Sequence, residues 1–250
     1  MSAQPPLLSV IVVSRNPGPL LAATLASVWE QRWTEPELIV VDGGSTDGTR
    51  EWLAARRDQL AALIASPAAG IGDALNQGVA AAHGEWLLFL GAGDRLVGDV
   101  ILGELGPWLR RTEAGAVVGE TAGDDGRIHK LPSRVRPLVR DFIPLSSALY
   151  RRALFADFGA FDPAFAVMAA YEFHVRLWKS HVRFKPIPLR ITAGGAPGPG
   201  GAGRWRGCAE EIRIRHRYAP AWRCWGWDAL SLLRFVRGNV RGLLSPPAAR

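Results

Sequence analysis

Only two cysteines, Cys208 and Cys224, occur in the 250 residues. Their spacing suits neither a disulfide framework nor a cysteine-built metal centre, and so low a count fits a reducing compartment. The five histidines (His83, His129, His174, His181 and His216) also lack ligand spacing. No apolar run approaches the roughly 18 residues that a spanning helix needs. Residues 1–6 do not join a basic region to an apolar one, so no signal peptide is expected. There is no GxGxxG after the first apolar run and no GxxxxGK[ST], which leaves dehydrogenase and P-loop readings without support.

What the chain does contain is hydrophobic residues, at 48%, enough for a globular domain with a sizeable core. Acidic residues are scarce at one end. From residue 204 onward ten arginines face Glu210, Glu211 and Asp228, so the whole net charge of +7 belongs to that segment. A basic end calls for an anionic partner: a membrane surface, a nucleic acid or a phosphorylated substrate. No recognisable RNA- or DNA-binding motif accompanies it, so nucleic acid is the least favoured of the three.

The rest of the chain is organised around residues 38–49, LIVVDGGSTDGT. Four apolar strand formers run into Asp42. A glycine-rich turn and the start of a helix follow. Such a run suits a strand buried on both faces. In an open α/β sheet, ligands bind beyond the carboxyl ends of the strands, which is where Asp42 falls. Residues 8–16 (LSVIVVSRN) and 85–94 (EWLLFLGAGD) repeat the pattern. Polar groups released at one sheet edge by three strands point to a site rather than to separate turn caps.

Strands and helices alternate over residues 7–120, which predicts a mostly parallel twisted sheet covered by helices. Within this part Asp73 and Asn76 share one face of a helix over residues 71–83. Prolines at 132, 137 and 144 then break the pattern, and loops over the ligand edge are expected. The run GGAPGPGGAG (194–203) reads as a mobile loop, either a passive linker or a lid. Two helices are expected after it, over 209–218 and 227–244. In the second, Leu232, Val236, Val240 and Leu243 form an apolar stripe beside Arg234, Arg237 and Arg241, and Trp222, Trp225 and Trp227 stand just before it. This combination suits a helix lying in a membrane interface, with a core-packed helix carrying a solvated basic face as the other reading.

The stretches VDGGSTDGT and GIGDALNQGVAAAHGEWLLFLGAGD resemble the family-2 glycosyltransferases, over residues 8–218. Among these the chain is most similar to bacterial members that build cell-surface polysaccharide. The resemblance implies an A-type glycosyltransferase fold. Residues 1–203 would form the transferase domain, with 1–120 as the donor-nucleotide half and 121–203 as the acceptor half and lid loop. Residues 204–250 would be a basic helical extension. It further implies inverting transfer from a nucleoside-diphosphate sugar to a glycan or lipid-linked acceptor, assisted by Mg²⁺ or Mn²⁺. The expected place is cytoplasmic, with peripheral attachment to the inner membrane face through 227–250.

By the same resemblance, Asp42 aligns with the aspartate that accepts the imino hydrogen of the base. Ser14, Arg15, Asn16 and Gly44, with Asp73 and Asn76 of the DAxN helix, would hold the nucleotide. Gly91, Ala92, Gly93 and Asp94 stand at the metal turn, and Asp94 alone carries a carboxylate there. One carboxylate plus phosphates and water suffices for a hard cation, though weakly without nucleotide. The chain departs from the family at the general base, whose position falls on Ala170. Glu172 and Glu120 are the remaining candidates. A His-Gln pair of the family is replaced by Leu145 and Ser146. These departures keep a second reading open, a catalytically silent nucleotide-sugar-binding partner of an active transferase.

Overall fold

The computed structural model describes residues 5–33, 36–65, 67, 70–123, 127–130, 143–194 and 201–244. The strands are β1 (Leu8–Ser14), β2 (Glu37–Asp42), β3 (Ala62–Ala65), β4 (Trp86–Gly91), β5 (Arg95–Leu96), β6 (Ala116–Ala122), β7 (Ile128–His129), β8 (Ala148–Arg151) and β9 (Phe184–Ala193). The helices are α1 (Leu20–Trp29), α2 (Thr49–Ala54), α3 (Ile71–Ala81), α4 (Ile101–Arg111), α5 (Ala153–Asp157), α6 (Ala169–Lys179), α7 (Gly201–Tyr218) and α8 (Ala221–Leu244).

All strands join one sheet of order β3-β2-β1-β4-β8-β6-β9-β5, with β7 on β6. Pairing is parallel among β3, β2, β1 and β4. It turns antiparallel where β8 inserts between β4 and β6, and β6 and β9 are parallel again. The expected parallel arrangement therefore holds among β3, β2, β1 and β4, and the rest of the sheet is mixed. β8 reaches β4 after a long excursion, so no local βαβ rhythm announces it.

Alternation along the strands explains the layers. In β1, Ile11 and Val13 face one cluster with Leu75 of α3, Phe155 of α5 and Phe173 of α6. Val10 and Val12 face the other, with Leu21 and Leu25 of α1, Leu53 of α2 and Leu105 of α4. Both faces are covered, so β1 is buried at every residue. Runs without polar alternation are the signature of such strands.

The helix boundaries depart from the sequence reading in two places that matter. The glycine-rich run does not stay irregular to its end: α7 begins at Gly201, and residues 195–200 of the expected lid lie outside the described residues. The last helix starts at Ala221 rather than near 227, so the tryptophans expected before it belong to α8.

α7 is docked on the segment that precedes α6. Glu210 of α7 accepts hydrogen bonds from the amides of Ala166 (3.1 Å), Val167 (2.9 Å) and Met168 (2.9 Å), just ahead of α6. Burial alone would raise the Glu210 pKa. The amides of Val167 and Met168, the Arg206 guanidinium and the Ala166 amide outweigh it and hold the carboxyl below its usual range. Arg217 pairs with Asp162 at 2.6 Å, and the Tyr218 hydroxyl donates to Glu172. Burial, then the hydrogen bond and negative charge of Glu172, push the Tyr218 pKa up to about 12.

A phenol is neutral when protonated, so this environment favours the protonated form in the folded state. The stabilisation is complete below about pH 10 and is lost as pH rises through about 12. Denaturant titrations should show stability falling by on the order of 1–2 kcal/mol across that window. Tyr218→Phe should lack that part of the slope. An identical slope in both proteins would show that Tyr218 does not set it.

Candidate functional site

The carboxyl ends of β1, β2 and β4 lie level: Ser14 pairs with Asp42, and Val13 with Gly91. A cavity of 510 Å³ opens there, lined among others by Ser14, Arg15, Asn16, Gly43, Gly70, Ile71, Gly91 and Ala92. Its size suits a ligand of nucleotide-sugar dimensions. A slightly larger hollow of 590 Å³ lies at the opposite end, where Glu37 opens β2. We place the site at the smaller one, because the glycine turns and the polar residues converge there.

The two loops at the β1 and β2 ends are strapped together. The Asn16 amide donates to Ser45 Oγ (2.8 Å) and the Thr46 amide to Asn16 Oδ1 (2.8 Å). The Gly18 amide donates to Asp47 (3.0 Å). Asn16 and Gly18 adopt positive φ, 49° and 53°, which fits the short side chain of the one and the absent side chain of the other. Ser45 in turn donates its amide (3.0 Å) and its hydroxyl to Asp42.

Asp42 is fully buried, and each of its carboxylate oxygens accepts a hydrogen bond from Ser45. These bonds shape the turn that presents Asn16. Asn16 places its side chain on the neighbouring loop for the same reason. Gly44, at φ +92°, supplies the left-handed backbone of that turn and packs near Pro67.

Other groups do face the cavity. Ser14 lines the cavity, and its buried Oγ has no hydrogen-bond partner among the described residues. An unpaired buried hydroxyl costs roughly 1–3 kcal/mol, so a ligand that bonds to it gains that back. Arg15 is exposed at the mouth. α3 starts at the wall with no side-chain cap, and Gly70 there is extended. Its first-turn amides are donors of the kind that hold phosphate.

The turn after β4 has Asp94 at its close. The Asp94 amide donates to the Gly91 carbonyl (3.0 Å) and Asp94 Oδ2 accepts from the Gly91 amide (2.8 Å). Gly93 sits at φ +104° in the third position, as a type II turn requires. Thr24 of α1 fixes that turn by accepting from the Gly93 amide (2.8 Å). Nothing in the sequence marked Thr24, since a threonine inside a helix has no motif. Pro17, Leu20 and Ala74 complete the lining and were likewise unmarked.

The structure disperses the remaining candidates. Asn76 donates to the Phe161 carbonyl (2.8 Å) and accepts from the Phe161 amide (2.9 Å), which pins the loop around Phe161 to α3. Asp73 stands in the first turn of α3, 3.4 Å from Gln77 Nε2. Glu172 is buried between Arg176 (2.9 Å) and the Tyr218 hydroxyl. It holds α6 to α7. Glu120 lines a separate 270 Å³ hollow with Lys130 and Pro186. Neither acid is among the residues that line the 510 Å³ cavity.

The model of glycosyl transferase family 2 matches residues 9–170. The chain belongs to that family. A relative from Mycobacterium bovis (strain BCG / Pasteur 1173P2), a PGL/p-HBAD biosynthesis glycosyltransferase, is 30% identical over 181 residues, covering 70% of this chain and 71% of that protein. Among solved structures, S. aureus TarS superposes with a TM-score of 0.65 at 20% identity, over 83% of this chain and 38% of TarS. The mannosyltransferase PcManGT from Pyrobaculum calidifontis, solved with GDP-Man and Mn²⁺, gives 0.63 at 23% identity, over 85% of this chain and 64% of that one. The fold is thus the A-type glycosyltransferase fold, and the protein is a glycosyltransferase by family.

Among the described residues no three His, Cys, Asp or Glu side chains converge on one point. The donor set at the β4 turn is the single carboxylate of Asp94. It fits a hard divalent cation that takes most of its ligands from phosphate and water, and it does not fit a resident, protein-caged metal.

Proposed function

We propose that the protein transfers a sugar, with inversion, from a nucleoside-diphosphate sugar to a glycan or lipid-linked acceptor of the cell envelope. The observation that supports this most is the 510 Å³ cavity uniting the unpaired Ser14 hydroxyl, Arg15 and the uncapped start of α3 at one sheet edge. An acceptor oxygen forms the new bond to the anomeric carbon as the bond to the diphosphate breaks. The nucleoside diphosphate leaves, and the hydroxyl proton is released. Ser14 donates to the nucleotide, and Arg15 with the α3 amides stabilises the charge that grows on the leaving diphosphate. Mg²⁺ or Mn²⁺, held by Asp94 together with the phosphates, supplies Lewis-acid assistance when bound. PcManGT, solved with GDP-Man and Mn²⁺, supports the donor class and the metal. The relative named for PGL/p-HBAD biosynthesis supports an envelope acceptor.

A second reading rests on Ala170 and on the engaged carboxylate of Glu172. With no base on α6, the protein would bind a nucleotide sugar and serve an active partner. Thermal shifts with UDP, GDP, dTDP and CDP, each with and without Mn²⁺, test the part both readings share. One diphosphate at about 100 times its dissociation constant should add about 2.7 kcal/mol of stability. The absence of any shift would remove the donor site. Release of free nucleoside diphosphate from the sugar donor then separates enzyme from silent partner.

A further inference from the structure

α8 has two unlike sides. On one, Cys224 and Ser231 are buried against α7. Arg215 of α7, itself buried, bonds there to Asp228 (2.9 Å), Glu211 (2.8 Å) and Ser231 (2.9 Å). The bonds to Asp228 and Ser231 tie α8 to α7. On the other side Trp222 is 74% exposed, Trp225 69%, Leu233 55%, Val236 54% and Leu232 40%. At about 100° per residue these positions fall within roughly a 100° arc, opposite the buried face. Soluble surfaces seldom carry so continuous an apolar stripe without a partner. Arg223 adjoins this stripe, and the sequence of the same segment adds Arg234, Arg237 and Arg241.

We propose that this outward face of α8 docks on an anionic lipid surface. Charge decides for a bilayer over a second copy of the chain. The net +7 resides beyond residue 203, and the acid of α8, Asp228, is already engaged by Arg215 and His216. A second copy would bring the same arginines against this row, whereas anionic headgroups neutralise it. Tryptophans beside arginines on an apolar stripe match the chemistry of the interface. Among the described residues no helix is long and apolar enough to cross the membrane, so the contact is peripheral.

Trp205 of α7, 53% exposed, packs on Phe235 of α8 at 5.2 Å and adds a further tryptophan to the two-helix unit.

Co-sedimentation with phosphatidylcholine vesicles, with and without phosphatidylglycerol, tests this without any donor. Wild type should bind the anionic vesicles about tenfold or more tightly than the neutral ones, and high salt should weaken the binding. Trp222→Ser/Trp225→Ser should bind them about tenfold less tightly, with unchanged circular dichroism. Should that variant misfold, quenching of wild-type tryptophan fluorescence by brominated anionic lipid gives the answer instead, and no quenching would overturn the proposal. Equal binding by the folded variant would overturn it too. So would a wild-type dimer that the substitutions dissociate without any vesicle binding, which would assign the face to a second copy.

Discussion

Asp94→Asn is expected to lower sugar transfer by about 10²–10³-fold, the scale of removing one charged contact to a developing oxyanion. The thermal midpoint should move little. Asparagine keeps an oxygen that can accept from the Gly91 amide, so the turn that Gly93 and Thr24 hold in place persists. What it removes is the negative charge that a hard cation needs. The same variant should lose the Mn²⁺-dependent part of the diphosphate thermal shift and keep any metal-independent part. That pairing of measurements matters because it also works for a silent protein with no turnover. Unchanged turnover together with an unchanged metal-dependent shift would reduce Asp94 to closing a turn.

Gly84→Ala should unfold the protein at markedly lower temperature. A Cβ at residue 84 would lie 2.5 Å from the Ser9 amide nitrogen and 2.9 Å from the Leu8 carbonyl carbon. These are backbone atoms of β1, in the middle of the parallel sheet, and they cannot rotate away. The Gly84 amide also donates to Ser9 Oγ at 2.8 Å, which a shifted strand would lose. Overpacking against fixed backbone costs about 3 kcal/mol, or roughly 6–12 °C for a chain of this size. Gly103→Ala is the control. Gly103 lies inside α4 and a Cβ there meets nothing within 4 Å. That substitution should stabilise by up to about 1 kcal/mol through helix propensity. A midpoint for Gly84→Ala equal to wild type would show that β1 and β4 separate more easily than their packing implies.

Peripheral membrane docking and donor binding are separable in these experiments, since vesicle binding is read without nucleotide and thermal shifts without lipid. If both hold, the protein works at a surface where the acceptor is confined to two dimensions. The donor then arrives from solution through the mouth that carries Arg15.

Much of this was legible in the sequence. The apolar runs of β1, β2 and β4 announced strands buried on both faces, because a doubly covered strand admits no polar alternation. The glycine turns that end them placed the site at one sheet edge, and the family resemblance named the donor chemistry. Sequence alone also located the surplus arginines after residue 203.

The tertiary structure decided where each polar side chain spends its hydrogen bonds. Asn76 bonds to Phe161, Asp42 to Ser45, and Glu172 to Arg176 and to Tyr218 on another helix. Phe161 and Tyr218 are brought to Asn76 and Glu172 by the fold, whereas Ser45 and Arg176 lie within about one turn of Asp42 and Glu172 in the chain. The antiparallel insertion of β8 between β4 and β6, and the early start of α8 that turns Trp222 and Trp225 outward on one face, were hidden in the same way. Short-range pattern reports backbone conformation and which face is apolar, since those depend on neighbours a few residues away. Which partner a buried carboxylate or amide finds depends on contacts between distant segments, and these exist only once the chain has folded.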